Sequence, residues 1–342
     1  MEKIIVLDFG SQYSHLICRR IREFSVYAEL VPYDISPEEL KKMNPMGIIF
    51  SGGPSSVYND DAPKPDDELF NFELPLLGIC YGHQLIVNKF GGKIKRANKE
   101  YGSSLLSMDK NSSLLDGIGE SIRAWMSHGD EAEEIPSNFE VIGHTENSHA
   151  AAIANKDRTV FGIQFHPEVV HTERGTDILK NFVLNVCKSK QEWTMEGFVD
   201  KTVKEISEID GNVLCGVSGG IDSTVAALLI HKAIGNRLTG VFVDNGLLRL
   251  HESEEIEDMF KNNFDLNFHR IDAGEQFLSK LKGVSDPEQK RKIVGEEFIQ
   301  VFTEFAKQKG PFKWLAQGTL YPDVIESGVS KGPAAVIKSH HN

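Results

Sequence analysis

The chain has 342 residues, of which 40% are hydrophobic, and its formal net charge is −13. This length predicts about two domains, and the acidic balance argues against the basic surface that nucleic-acid binding needs. The four cysteines are widely separated, and no apolar run is long enough to span a bilayer. We therefore expect a cytoplasmic protein with no nucleic-acid or membrane partner and no disulfide framework.

In the first half of the chain, short apolar runs alternate with amphipathic segments. Buried strands are predicted at residues 4–7, 27–31, 47–51 and 76–79. A helix is predicted to begin after Ser36, because this capping serine precedes Pro37 and Glu39. The alternation predicts a doubly wound α/β domain with a mainly parallel sheet, whose site lies beyond the carboxyl ends of the strands.

Cys80 follows the fourth of these strands, inside the sequence Gly78-Ile79-Cys80-Tyr81-Gly82. A Gly-x-Cys-x-Gly motif at a strand-to-helix turn is typical of a nucleophile elbow, in which a sharp turn exposes the side chain above the sheet. The helix N-terminus behind such a cysteine favours the thiolate. The alternative is a buried structural cysteine between two glycines, and the position of the motif favours the nucleophile.

A base for this nucleophile is predicted at His166, which is followed by a proline and then by Glu168. Residues two apart in an extended chain point to the same side, so the carboxylate can orient the imidazole. We therefore predict a Cys–His–Glu triad. The main-chain N–H groups of Gly53 and Tyr81 are candidates for an oxyanion hole, whereas His128 is interpreted as a loop histidine.

An anion site is predicted in the second half of the chain, where Ser-Gly-Gly-Ile-Asp-Ser-Thr begins at Ser218. Glycines let the backbone approach a ligand closely, and the N–H groups and hydroxyls at the following helix start would face a phosphate. The loop lacks the lysine of a Walker A motif. Because the Asp222 carboxylate would repel a bare phosphate, we expect Mg²⁺ between them. The alternative is an ordinary glycine-rich turn with a capping serine.

Strands and helices continue to alternate after this loop, which predicts a second doubly wound domain with a mainly parallel sheet. A polar linker around residues 189–191 separates the halves, so we place the domains at residues 1–190 and 191–342. Asp244 ends a predicted strand beside the phosphate loop, where either a turn role or ligand contact is expected.

The motifs of the first half resemble those of class I glutamine amidotransferases, on the sequences Gly78-Ile79-Cys80-Tyr81-Gly82 and Phe165-His166-Pro167-Glu168. Together with the Ser-Gly-Gly-x-Asp-Ser loop, the chain resembles the glutamine-hydrolysing GMP synthetase family over essentially its whole length. Further local matches lie at residues 7–13, 125–130, 242–249 and 318–327.

This resemblance implies that glutamine, ATP and XMP are the substrates. Glutamine hydrolysis would supply ammonia, ATP would adenylylate XMP, and ammonia would displace AMP to give GMP. The implied catalytic residues are Cys80, His166 and Glu168, and the implied oxyanion or glutamine contacts are Gly53, Tyr81 and Gln84. The implied ATP contacts are Ser218, Gly219, Gly220, Ile221, Asp222, Ser223, Thr224 and Val243, with Mg²⁺ held at Asp222.

The family normally continues into a C-terminal region that contributes to dimerisation and to the XMP site. We expect this sequence to be truncated before that region, so a homodimer is expected of a full-length relative and not of this chain. Two other functions stay open at this point. One is an ATP pyrophosphatase that activates a different carbonyl, such as an NAD synthetase-like enzyme, and the other is a non-catalytic nucleotide sensor.

Overall fold

The computed structural model of the chain describes residues 2–318, without the side chains of residues 97–99. The chain forms two compact units that part between Thr194 and Met195. The last sequence match, residues 318–327, lies outside the described residues except for Gly318. Within residues 2–318, every helix is too short or too polar to cross a membrane.

The described part of the first unit contains one nine-stranded sheet. Its strands are β1 (Lys3–Asp8), β2 (Tyr27–Pro32), β3 (Gly47–Phe50), β4 (Leu76–Ile79), β5 (Lys93–Met108), β6 (Ser121–Glu134), β7 (Phe139–His144), β8 (Ala152–Asn155) and β9 (Val160–Ile163). The spatial order is β2-β1-β3-β4-β9-β8-β7-β5-β6. Pairing is parallel from β2 to β9 and antiparallel from β9 to β6.

Helices cover both faces of the parallel part of this sheet. They are α1 (Ser14–Arg22), α2 (Pro37–Met43), α3 (Tyr81–Lys89) and α4 (Gly175–Lys180), with a 3₁₀ turn at Asp67–Asn71 and a π-helical turn at Asn181–Val186. Apolar side chains of α1 and α4 pack on one face of β1, and those of α2 and α3 belong to the core on the other face. The predicted capping box at Ser36 is confirmed, because Ser36 accepts from the Glu39 N–H and the Glu39 carboxylate accepts from the Ser36 N–H.

The second unit has a four-stranded parallel sheet in its described residues, in the order β12-β11-β10-β13. Its strands are β10 (Val213–Gly216), β11 (Leu238–Asp244), β12 (Asn267–Asp272) and β13 (Trp314–Ala316). Its helices are α5 (Met195–Ser207), α6 (Ile221–Ile234), α7 (Glu252–Asn263), α8 (Gly274–Leu281) and α9 (Pro287–Lys309), with a 3₁₀ turn at Gly235–Arg237. Side chains of α5, α6 and α7 pack on one face of the sheet, and those of α8 and α9 pack on the other.

The α/β class and the doubly wound arrangement predicted from the sequence are therefore confirmed. The sequence did not predict the antiparallel extension from β5 to β8. In both units the candidate sites follow the carboxyl ends of parallel strands, the edge at which open α/β sheets bind their ligands.

Candidate catalytic and nucleotide sites

Cys80 lies on a sharp turn between β4 and α3, as the Gly-x-Cys-x-Gly motif predicts. Its φ of 51° and ψ of −101° are unusual for a residue with a Cβ. The two glycines make this turn possible. A Cβ on Gly78 would lie 2.4 Å from Gly82 backbone atoms, and a Cβ on Gly82 would lie 2.5 Å from the Phe50 carbonyl oxygen. Helix α3 therefore packs closely against the sheet, and the strained Cys80 points into the site.

The structure brings Cys80, His166 and Glu168 together. The Nδ1 atom of His166 is 2.8 Å from the Glu168 carboxylate, and the imidazole also interacts with the Cys80 side chain. Both His166 and Glu168 are buried. Burial alone would lower the pKa of His166, but the Glu168 carboxylate and the Cys80 hydrogen bond raise this pKa well above its ordinary value. These two interactions therefore favour the protonated form of the imidazole beside the cysteine.

Thr172 and Arg20 position the triad, and neither was predicted from the sequence. The Thr172 hydroxyl donates to the His166 carbonyl oxygen at 2.6 Å and accepts from the Trp125 N–H at 2.9 Å. The His166 N–H in turn donates to the Trp125 carbonyl at 3.1 Å. The Arg20 guanidinium donates to the Glu168 carbonyl oxygen at 3.2 Å. These bonds attach the backbone segment that bears His166 and Glu168 to β6 and α1.

The sulfur of Cys80 has two further polar neighbours, both missed by the sequence reasoning. The Ser127 carbonyl oxygen lies 3.6 Å from Sγ, and the Nε2 atom of Gln164 lies 3.7 Å from it. Gln164 is two residues before His166, so the alternation that predicted the His–Glu pair could also have indicated it.

The predicted oxyanion donors adjoin the triad in sequence, since Tyr81 follows Cys80 and Gly53 follows Gly52, on which a Cβ would lie 3.7 Å from the Cys80 Cβ. Tyr81 is the first residue of α3, where a helix leaves its N–H groups without intrahelical partners. Its side chain is buried and donates to the Pro63 carbonyl oxygen at 2.8 Å, so the predicted contact of Tyr81 with a substrate would have to come from its main chain. A Cβ on Gly53 would lie 2.6 Å from the Phe9 carbonyl oxygen, which explains the glycine there. The Gln84 amide donates to the Asp130 carbonyl oxygen at 2.9 Å and so contacts β6.

The interpretation of His128 as a loop histidine is wrong. His128 is buried in β6, where its Nε2 lies 3.2 Å from the Glu100 carboxylate and its Nδ1 lies 3.1 Å from the Asp130 carbonyl oxygen. Glu100 is its partner across the β5–β6 pairing. This pair fixes the strand segment that carries the Ser127 carbonyl beside the cysteine.

The predicted phosphate loop connects β10 to α6. Gly219 has a φ of +80°, and a Cβ there would lie 2.5 Å from the Ile256 side chain. The Ser223 hydroxyl accepts from the Ser218 N–H at 3.1 Å, and the Thr224 hydroxyl donates to the Gly220 carbonyl oxygen at 2.8 Å. These hydroxyls therefore shape the loop. Gly220 caps α6 without a side-chain hydrogen bond, which leaves the first helical N–H groups to face an anion.

The other residues predicted at this site differ in what they can contact. Ile221 is exposed, whereas the Val243 side chain is buried in the core, so only its main chain remains for a ligand. The Asp244 carboxylate binds Arg270 at 2.9 Å and accepts from the Gly246 N–H at 3.1 Å. Burial opposes ionisation of Asp244, but the Ser253 side chain, the Gly246 N–H and Arg270 together lower its pKa. The turn role left open for Asp244 is the one this structure displays.

The Asp222 carboxylate is exposed on the first turn of α6. In residues 2–318, no three His, Cys, Asp or Glu side chains are grouped to hold a metal ion. Mg²⁺ is usually held by one or two carboxylates together with substrate phosphates and water. The site therefore fits Mg²⁺ only together with a nucleotide.

Comparison with known proteins assigns both halves of the chain to families. The glutamine amidotransferase class-I profile matches residues 5–186, and the NAD synthase profile matches residues 193–298. A crystal structure from Thermoplasma acidophilum, provisionally named as one of the subunits of a GMP synthase, has a TM-score of 0.51 and 32% sequence identity. The structural match covers 55% of this chain and 94% of the Thermoplasma acidophilum chain.

Relatives named glutamine-hydrolysing GMP synthase align with all of this chain. The protein of Alkaliphilus metalliredigens is 52% identical over 344 residues, and that of Caldicellulosiruptor saccharolyticus is 53% identical. The chain spans 67% of the length of each. By this likeness over its whole length, together with the triad and the phosphate loop, the chain belongs to the glutamine-hydrolysing GMP synthase family.

Proposed function

We propose that the chain makes GMP from XMP, with glutamine as the nitrogen donor and glutamate, AMP and pyrophosphate as the other products. The observation that carries this proposal is the buried Cys80–His166–Glu168 arrangement on a nucleophile elbow. Its presence in one chain with a phosphate loop that lacks the Walker lysine supports coupling of ammonia release to ATP use.

We assign glutamine hydrolysis to the first unit. The Cys80 sulfur attacks the side-chain amide carbon of glutamine, and the new oxyanion is met by the Gly53 and Tyr81 N–H groups. His166 gives its proton to the leaving nitrogen, so ammonia departs and a thioester remains. A water molecule then attacks the thioester and gives up a proton to His166, glutamate is released, and the sulfur is regenerated. Glu168 keeps the imidazole oriented and stabilises its protonated form.

We assign the nucleotide chemistry to the second unit, with the pyrophosphate of ATP against residues 218–224 and the α6 N-terminus. The XMP C2 oxygen attacks the α-phosphate of ATP, pyrophosphate departs, and ammonia then displaces AMP from the activated carbon. Activation is needed because that oxygen is a poor leaving group. Mg²⁺ at Asp222 would neutralise phosphate charge when the nucleotide is bound.

The corresponding domains are residues 1–190 for the amidotransferase and 191–342 for the ATP pyrophosphatase. We place the chain in the cytoplasm. Its four cysteines, Cys18, Cys80, Cys187 and Cys215, are all unpaired, as is usual in a reducing compartment.

A second candidate function is suggested by the NAD synthase profile over residues 193–298. An enzyme of that kind would use the same phosphate loop to activate a different carbonyl. A nucleotide sensor that binds ATP or glutamine without turnover is the candidate outside enzymes. The bonded triad supports turnover over sensing, because a sensor would not require a protonated histidine beside a strained cysteine.

The test supplies the chain with XMP, ATP and Mg²⁺, and with either glutamine or ammonium. We expect GMP and pyrophosphate to form with both nitrogen sources. Cys80→Ala should abolish only the glutamine-driven reaction. Pyrophosphate release that does not depend on XMP would favour the NAD synthase-like alternative, and absence of glutamate would favour the sensor.

A further inference from the structure

Gln164 is a fully buried side chain that contacts the sulfur of Cys80. It directly follows β9, and its Nε2 atom lies 3.7 Å from Sγ. Its Oε1 atom has no hydrogen-bond partner among the described residues. Burying an amide is costly unless hydrogen bonds replace the lost water. An amide held against a sulfur atom at that cost needs an explanation other than packing.

The groups around Sγ respond differently to the thiol and to the thiolate. A thiol can donate its hydrogen to the Ser127 carbonyl oxygen, 3.6 Å away, which can only accept. A thiolate has no hydrogen to give, but it accepts hydrogen bonds from the Gln164 amide and from protonated His166. The amide therefore favours the anion, the form that attacks a carbon atom.

We propose that Gln164 is a further catalytic residue, whose side-chain amide donates a hydrogen bond to the Cys80 thiolate. This inference rests on the glutaminase function proposed for the first unit. The bond acts twice in that reaction, because the sulfur is negative both when it attacks glutamine and when the thioester is cleaved. The reverse orientation of the amide would place its oxygen against the anion and repel it, so the nitrogen faces the sulfur in the reactive form.

The pH dependence of alkylation tests this role directly. Iodoacetamide reacts with the thiolate, and the rate at Cys80 is measured in the whole chain by peptide mapping as the pH is varied. For Gln164→Leu we expect the midpoint of the rate profile to rise by about one pH unit, which corresponds to about 1.36 kcal/mol, because the thiolate loses a hydrogen bond that stabilises its charge. Below the midpoint, the rate should fall about tenfold. The glutaminase kcat should fall by a similar factor.

Two more variants complete the test. Gln164→Glu keeps the shape of the side chain and adds a negative charge, so its midpoint should rise further than that of Gln164→Leu. It also supplies the measurement if the leucine variant does not fold. Gln300→Leu makes the same chemical change at an exposed position of α9 and should leave the midpoint unchanged.

An unchanged midpoint in either Gln164 variant, shown to be folded by its cooperative thermal unfolding, would overturn the assignment. The alkylation needs no glutamine. If the unmodified chain releases no glutamate, the proposed function fails, while the role of Gln164 is still decided by the midpoint.

Discussion

Replacing Glu168 with glutamine removes the negative charge that faces His166 while keeping the size of the side chain. The two groups are 2.8 Å apart, and the Glu168 side chain is 0% exposed. For charge centres about 4 Å apart and an effective dielectric constant of about 20, their attraction is about 4 kcal/mol. Each 1.36 kcal/mol changes a rate about tenfold, so we expect the glutaminase kcat to fall by about 10³.

Two physical effects contribute to this loss. Without the carboxylate, burial dominates and the pKa of His166 falls, so less of the enzyme has the proton that the leaving nitrogen needs. The new amide can also donate to Nδ1 and select the wrong tautomer of the imidazole. Ammonia-dependent GMP formation does not use this pair and should be unchanged.

The free energy of unfolding gives a second test, because the direction in which it changes with pH can be stated. The folded-state pKa of His166 is raised above its ordinary value of 6.5. A raised pKa contributes stability that is fully present below pH 6.5 and is lost as the pH rises through the folded-state value. The difference in free energy of unfolding between the unmodified chain and Glu168→Gln should therefore be largest below pH 6.5 and shrink as the pH rises.

A matched control is available on the surface of the first unit. His144 and Asp109 are also 2.8 Å apart, but their side chains are 46% and 34% exposed. Asp109→Asn should leave the glutaminase rate unchanged, since exposed pairs contribute little. A folded Glu168→Gln variant with the rate of the unmodified chain would refute the electrostatic reasoning.

Four other outcomes are expected. Thr172→Val removes the hydroxyl that bonds the His166 carbonyl, so calorimetry should show a loss of about 1–3 kcal/mol and the glutaminase kcat should fall, with Thr172→Ser restoring both. Gly219→Ala forces a Cβ onto a φ of +80° and to within 2.5 Å of a neighbouring side chain, so ATP binding measured by titration calorimetry should weaken. Gly295→Ala, in an open position of α9, should instead stabilise the chain by about 0.5–1 kcal/mol. Iodoacetamide should modify only Cys80 in the folded chain, because burial raises the pKa of the other three cysteines; a second modified cysteine in the peptide map would contradict this.

The sequence determined the local features of this protein. The strand-to-helix turns at Cys80 and at the phosphate loop were predictable because glycine spacing and apolar runs act over a few residues. The His166–Glu168 pair was predictable for the same reason, since its members are two residues apart. The sequence reasoning missed the antiparallel strands, because β6 carries polar residues such as His128 whose burial depends on Glu100 in the neighbouring strand.

Only the tertiary structure decided which groups surround the nucleophile. Gln164 reaches Cys80 across 84 residues of sequence, and Thr172 reaches Trp125 across 47. The tertiary structure also decided that the Val243 side chain lies in the core, away from a ligand. Such contacts depend on which strands lie side by side, and that order is set by the packing of the whole sheet, which no short stretch of sequence specifies.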